Sequence, residues 1–393
     1  MITTQSADKA LKSFYLDAVT DALNVKINPF FAKIKKSTAD VWGKDVRKLV
    51  RYGVSGGIGA GTETGALPTA HGKNYMQFVS SLKNLYGTIE ISDKAIRASA
   101  HNEGAFVNLL EDEMQSLVKD SEFNFGRMLY GDGNGLLANV NLEVPTMMGG
   151  VLVDDVKKIF EGMVIDFYGP MGELLEKGKG RRVKNVNRDG RVVYFEGDPF
   201  LDSDFPTGSK AYLQNSQGNE ITGLAAIFDL GTNLYGVNRE DNQWMNPYVD
   251  RSVGDIDDLT LQSAIDAIEE QSGSKINFIV CSPGVRRALV EYYKGKGVQM
   301  SPVELEGGFT ALSFNGIPVV ADRFCPSGTM YLLNTDDFCL HQLCDWQWLE
   351  GEDGKILKQV PGKPVYTATL VKYAELMCYR PQGQGVLYNI TEK

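Results

Sequence analysis

Residues 102–135 read NEGAFVNLLEDEMQSLVKDSEFNFGRMLYGDGNG, and the helix they specify decides the architecture. Phe106, Leu109, Leu110, Leu117, Phe125, Met128 and Leu129 fall mostly on one stripe at helical spacing. Glu103, Glu111, Asp112 and Glu113 crowd the first half and Arg127 lies near the end, the charge order that a helix dipole favours. Gly131-Asp132-Gly133 ends the pattern. The spacing predicts one helix over 102–130. At the usual rise it would be about 40 Å long, well beyond an ordinary globular helix.

On its N-terminal side the period changes. Ile89 and Ile91 alternate with Thr88, Glu90 and Ser92, so 74–92 reads as a two-stranded projection. Such a projection is marginal alone and gains stability by lying on another molecule. It is preceded by RYGVSGGIGAGTETGALP at 51–68, with six glycines: Gly53, Gly56, Gly57, Gly59, Gly61 and Gly65. Gly53 to Gly57 matches the G-x-S-x-G nucleophile elbow, which needs a strand before the serine and a helix after it. The preceding KDVRKLVRY reads as part of a short helix near 38–51, and so many glycines cannot continue as a helix. Of three histidines (His71, His101, His341), only His341 lies late enough to complete a triad. Ser55 is therefore not read as a nucleophile. No Lys-Ser or Lys-Thr follows the glycines and the third glycine of a dinucleotide fingerprint is missing, so no phosphate loop is read either. What is left is a flexible connection. Further back, Leu11, Phe14, Tyr15, Ala18, Val19 and Leu23 predict a helix over 6–24, broken at Asn28-Pro29.

On the C-terminal side, KIFEGMVIDFYG, RRVKNVNRDGRVVYFEGD and GSKAYLQN make 158–225 β-rich, with Asp189-Gly190 a hairpin turn. A small inserted barrel fits this segment. Residues 257–293 read helix, strand, helix: Leu261, Ala264, Ile265 and Ile268 closed by Gly273, then INFIV, then Ser282-Pro283 as cap and first helical residue. GIPVVADRF, TMYLLN, FCLHQL and PVYTATLVKYAELMCY return to strands.

The formal net charge is -10, yet residues 1–52 carry ten Lys or Arg against five Asp. The acidic remainder excludes a broad DNA-coating surface. Phe30, Phe31 and Trp42 lie among the basic residues and read as surface that packs on a neighbouring subunit. Cys281, Cys325, Cys339, Cys344 and Cys378 form no C-x-x-C pair and read as buried thiols. Cys339 and His341 share a strand face from which Cys344 is excluded, and no fourth ligand is evident, so no metal is expected. Asp154-Asp155, Asp257-Asp258 and Asp336-Asp337 sit at element starts, where capping explains them better than acid-base chemistry. No cofactor and no catalysis are expected. No apolar run approaches the length of a membrane span and the N-terminus does not read as a signal peptide, which predicts a soluble cytoplasmic product.

The run from Leu67 to Val140, with its long helix ending in LYGDGNG, resembles the major capsid proteins of tailed double-stranded DNA bacteriophages, the Hong Kong 97-type capsid fold. INFIVCSPGVRRALVEYY and FNGIPVVADRFCPSGTMYLLNTDDF are similar to that family's axial domain and returning peripheral strands. The resemblance covers nearly the whole chain and implies an α+β fold. It has an N-terminal arm at 1–51, an E-loop at 52–92 and a peripheral domain at 93–157 with the spine helix. An inserted β domain at 158–225, an axial domain at 226–312 and returning strands at 313–393 complete it. It implies self-assembly into hexamers and pentamers of an icosahedral head around double-stranded DNA. An encapsulin-like compartment is the alternative on the same fold. The six glycines then become the hinge at the base of the E-loop. Lys73, Tyr75, Phe78, Lys83, Phe30, Phe31 and Trp42 become candidate contacts with the next subunit. Some relatives crosslink an E-loop lysine to an asparagine; Lys73 and Lys83 lie in that region, but no partner is identified. Relatives with a cleaved N-terminal scaffolding segment differ from this sequence, which opens MITTQSADK, so a separate scaffolding protein is expected. A portal protein and decoration proteins complete the partners implied, with weak, non-specific contact to packaged DNA and no membrane. The virion is the implied location.

Overall fold

The computed structural model describes residues 28–94, 103–141, 143–231, 233–297, 302–305, 309–351 and 354–393. The helix expected at 6–24 lies outside the described residues. In chain order come α1 (Pro29–Lys33), β1 (Lys35–Ser37), β2 (Val41–Trp42), β3 (Asp45–Tyr52), β4 (Asn74–Ser81), β5 (Lys83–Ser92) and α2 (Glu103–Met128). Next are β6 (Leu136–Asn139), β7 (Thr146–Met147), β8 (Gly150–Leu152), β9 (Val164–Tyr168), β10 (Arg181–Asn187), β11 (Val192–Phe195), β12 (Lys210–Leu213) and β13 (Tyr248–Asp250). Then follow α3 (Asp258–Ser272), β14 (Phe278–Cys281), α4 (Pro283–Gly295), β15 (Pro302–Leu305), β16 (Phe309–Phe314), β17 (Ile317–Ala321) and β18 (Met330–Leu333). β19 (Phe338–Trp348), β20 (Lys358–Gln359), β21 (Val365–Cys378) and β22 (Gly385–Leu387) close the chain. Two compact units result. Among described residues the first holds 83–226 and 348–370, and the second holds 28–82, 227–347 and 371–393.

In the first unit the long helix forms over Glu103–Met128 and buries Met114, Val118, Phe125 and Met128. β5 lies against it at Gly87, where an added Cβ would sit 3.0 Å from Leu117 Cδ1 and 3.1 Å from Ser121 Oγ. Both distances are tighter than an ordinary Cβ contact, so an alanine there would displace the Leu117 and Ser121 side chains by a few tenths of an ångström. At the helix end the buried Arg127 guanidinium donates to Asn124 Oδ1 at 3.0 and 2.8 Å and pairs with the buried Glu220 carboxylate. Leu224 N–H caps the free Leu129 carbonyl at 2.8 Å.

Beyond the helix the strands run β6-β12-β9-β10-β11-β8, with β7 outside β8. Val140 and Val153 form an antiparallel bridge, flanked by Asn141 N–H to Leu152 O at 2.8 Å and Asp154 N–H to Asn139 O at 3.0 Å. The sheet therefore closes on itself into a six-stranded barrel. Its interior is one apolar cluster that includes Leu137, Val151, Ile165, Phe167, Val183, Val193 and Phe200. The β-rich segment expected at 158–225 is completed by strands from Leu136 onward, which sequence reading placed in the preceding domain. Those strands are two to four residues long, too short for alternation to show.

The second unit is built on the sheet β13-β22-β18-β14-β17-β16-β15. β14 is buried along its length, parallel to β17 and antiparallel to β18. α3 and α4 bury Leu261, Ala264, Ile268, Val285 and Leu289 in one core with Ile279, Val319 and Leu332. Asp257 caps α3 through Thr260 N–H at 2.7 Å, Gly273 ends it at φ +64°, and Ser282 caps α4 with Pro283 at the first position.

The segment 38–51 is a correction. It forms β2 and most of β3, not a helix. Val46, Lys48, Val50 and Tyr52 are the more covered face, a period of two. Val46, Leu49 and Val50 also satisfy helical spacing, and eight ladder pairs with β4 decide between the readings.

Candidate functional site

The most distinctive local structure is a hairpin. β3 pairs antiparallel with β4 from Asp45–Ser81 to Tyr52–Asn74. The projection is thus made by 45–81, whereas sequence reading paired the strands of 74–92; β5 instead joins β21. A ring stack clamps the hairpin. Tyr52 lies on Trp244 with centroids 4.3 Å apart and planes 6° from parallel. Phe78 packs on Tyr235 at 5.6 Å and on Trp244 at 6.5 Å. Val79 N–H donates to Tyr235 O at 2.9 Å.

Tyr235 occupies an unusual turn. Leu234 and Val237 exchange both backbone hydrogen bonds, and Tyr235 and Gly236 both have positive φ, +50° and +77°. Asn or Gly normally fills such a position. The tyrosine is held there by burial: its hydroxyl donates to Leu376 O at 3.3 Å and accepts from Cys378 N–H at 2.9 Å. Burial pushes the phenol pKa well above its ordinary value.

The glycine segment 53–65 follows Tyr52 directly, so it leaves the β3–β4 ladder at the clamped pair Tyr52–Asn74. The glycines face the returning arm in steady register. An added Cβ would lie 3.3 Å from Asn74 Nδ2 at Gly53, 3.0 Å from His71 Cδ2 at Gly56 and 3.5 Å from Ala70 Cα at Gly57. It would lie 3.1 Å from Pro68 Cγ at Gly59 and 3.8 Å from Ala66 O at Gly61. Gly65 N–H donates to Thr62 O at 3.1 Å and forms the tip. The glycines thus let two arms of a narrow ribbon lie side by side. Gly53 alone among them has positive φ, +65°.

Of the expected contact residues, Tyr75 and Lys73 are exposed. With Leu49, Val54, Ile58 and Leu67, of which the last three are 82% exposed or more, Tyr75 makes the hairpin apolar and wet. Phe30, Phe31 and Phe78 are buried within the chain, and so are not available to a neighbour. Asn28, read as a helix breaker, is the N-cap of α1: its Oδ1 accepts from Phe30 N–H at 2.9 Å and Phe31 N–H at 3.0 Å. Phe30 then meets Phe338 edge-on at 5.2 Å, and β1 runs parallel to β19. Lys83 donates to Gly218 O at 2.9 Å within the first unit. The Trp42 backbone pairs with Asp45.

Other candidate chemistry does not assemble. A strand does precede Ser55, contrary to the sequence reading, but no helix follows it. His341 is buried, with Nε2 2.8 Å from the Tyr379 hydroxyl, and burial lowers its pKa. Cys339 shares that face, and burial raises its thiol pKa. Burial likewise pushes the Cys281 thiol up to about 12. All five cysteines are free. Among the described residues no group of three His, Cys, Asp or Glu side chains is placed to hold a metal, and no helix is long and apolar enough to cross a membrane.

No protein-family profile and no curated protein sequence matches the chain. Solved structures do. The chain is similar to the capsid asymmetric unit of cyanophage A-1(L), at 12% identity over 94% of each chain and a TM-score of 0.56. It has the fold of a phage capsid protein. It is also similar to the satellite phage P4 procapsid (9% identity, 97% and 99% of the two chains, TM-score 0.47). The SrpI encapsulin of Synechococcus elongatus PCC 7942 is similar too (10%, 93% and 88%, 0.46). Neither of these two carries weight at its score.

Proposed function

We propose that this chain is a major capsid protein of a tailed double-stranded DNA bacteriophage, built on the Hong Kong 97-type fold. Copies assemble into the hexamers and pentamers of an icosahedral head. The likeness to the cyanophage capsid subunit along nearly the whole of both chains carries the reading. The hairpin supports it. Leu49, Val54, Ile58, Leu67 and Tyr75 stand in water on a narrow ribbon, and an adjacent subunit would cover them. Lys73 lies on the same ribbon as a contact with that subunit. The net charge of -10 suits an inner wall that holds packaged DNA weakly. The reading assigns a structural role with no catalysis, and as partners a separate scaffolding protein, a portal and optional decoration proteins. Assembly takes place in the host cytoplasm and the product resides in the virion.

The test is negative-stain electron microscopy of the protein alone and co-expressed with its neighbouring genes. Closed shells or capsomer rings are expected. A strict monomer under both conditions ends the reading, and shells that enclose an enzyme cargo instead of DNA replace it with a cellular compartment.

A further inference from the structure

Two surfaces of the second unit have opposite charge. α3 carries Asp258, Asp266, Glu269 and Glu270 and no Lys or Arg. Leu259, Ser263, Asp266 and Glu270 recur at helical spacing and all are exposed, with Leu259 at 75%. Beside α4 is a groove of about 630 Å³. Arg286, Arg287, Lys294 and Lys393 surround it, Val290 and Leu312 are its partly covered apolar lining, and Glu291 is its one acid. Among the described residues Asp266, Glu269, Glu270, Arg286 and Lys294 form no ion pair.

The two surfaces match in kind. One is an acidic ridge that begins with an exposed leucine. The other is a basic groove with an apolar lining. Their lengths are comparable: about 16 Å of helix from Leu259 to Glu270 and about 12 Å from Arg286 to Lys294. Within one copy α3 meets α4 at its first turn, where the Tyr292 hydroxyl donates to Asp258 Oδ1, whereas Asp266 and Glu270 farther along form no ion pair with the groove among the described residues. Two different patches on every copy, complementary to each other, make a head-to-tail contact, and such contacts form a ring when the rotation between copies closes.

We infer that the acidic ridge of α3 docks into the basic groove beside α4 of the next copy of this chain, with Leu259 meeting the apolar lining at Val290 and Leu312. The inference rests on the assembly reading and names the surfaces that would set the order of subunits in a ring. Exposed ion pairs are individually weak, so neutralising one charge is too mild a test; like charges forced together are strongly unfavourable.

The experiment uses two reversals in the full chain, Asp266→Lys with Glu270→Lys, and Arg286→Glu with Lys294→Glu. Each is first checked for native circular dichroism and melting temperature. Each alone should form rings and shells at least tenfold less than the unaltered chain. An equimolar mixture should recover six-membered rings, because every ridge then finds a groove of opposite sign on its alternate neighbour. Full assembly by either variant alone, or no recovery in the mixture, overturns the inference while leaving the assembly reading intact. Failure of the unaltered chain to assemble removes both.

Discussion

At the scale of single residues, the end of the long helix hangs on one buried ion pair. Arg127 and Glu220 are almost fully covered and are 93 positions apart in sequence. Glu220→Gln strands a buried guanidinium and should cost about 3 kcal/mol in a urea melt; an Arg127→Met, Glu220→Leu pair should cost far less, since no charge is left without a partner. Equal losses in both would show that packing, not charge, is what matters there. Glu122 offers a pH test. It is buried, its Oε1 has no hydrogen-bond partner among the described residues, and burial, opposed by Lys119, raises its pKa from 4.5 to about 7. The folded state therefore holds a proton that the unfolded state has released. The stability this proton contributes is full below about pH 4.5 and is lost as pH rises through 7. Glu122→Gln should flatten that slope, raising the melting temperature at pH 8 and barely changing it at pH 4.5. A parallel shift at both pH values would refute it. Neither residue could be singled out beforehand. Arg127 reads in the sequence only as a charge near a helix end, because its partner is 93 positions away. The caps at Ser282 and Gly273 were legible because they are local.

At the scale of elements, the hairpin shows what periodicity misses. Its glycines were visible at once, and so was the failure of every catalytic motif near them. Their role was not. Whether a glycine frees the backbone or makes room for another segment depends on what lies opposite, and Gly56 meets His71 only after β3 and β4 have paired. The two roles separate by substitution. Gly53 has φ +65°, so Gly53→Ala should destabilise the unassembled subunit by about 1 kcal/mol. Gly61 has no positive φ and its nearest neighbour would be 3.8 Å from a new Cβ, so Gly61→Ala should be neutral or slightly stabilising. If the two alanines behave alike, the ribbon is not ordered as described. The clamp beside these glycines is tested by Trp244→Ala, which removes the stacking partner of both Tyr52 and Phe78. Hydrogen exchange in β3 and β4 should quicken markedly while β14 is unchanged; protection that stays even across all three would mean the stack is incidental.

At the scale of the whole molecule, the order of pieces was legible from the long helix and from the helix–strand–helix unit at 257–293. The limits of the barrel were not, because its closing bridge joins Val140 to Val153 through strands too short to show a period. Closure has a consequence for autonomy. A closed sheet leaves no edge to be completed by the rest of the chain. Among the described residues, the buried cluster of Val, Ile, Leu, Phe and Ala at its core runs from Leu137 to Ala211. Entry and exit are adjacent, since Leu136 pairs with Tyr212 across β6 and β12. An insertion with those properties can fold alone and can be removed without pulling apart what holds it. Residues 132–219 expressed alone should therefore unfold in one cooperative transition, with a midpoint in the usual range of about 45–65 °C. Replacing 136–213 by a short Gly-Ser linker should leave the second unit folded, because none of the residues in its core lies in the excised segment. An isolated segment that lacks a cooperative melt, together with a deletion that unfolds the remainder, would show that the barrel depends on the helix that precedes it. A deleted chain that folds but no longer forms rings would instead place the barrel at a contact between subunits.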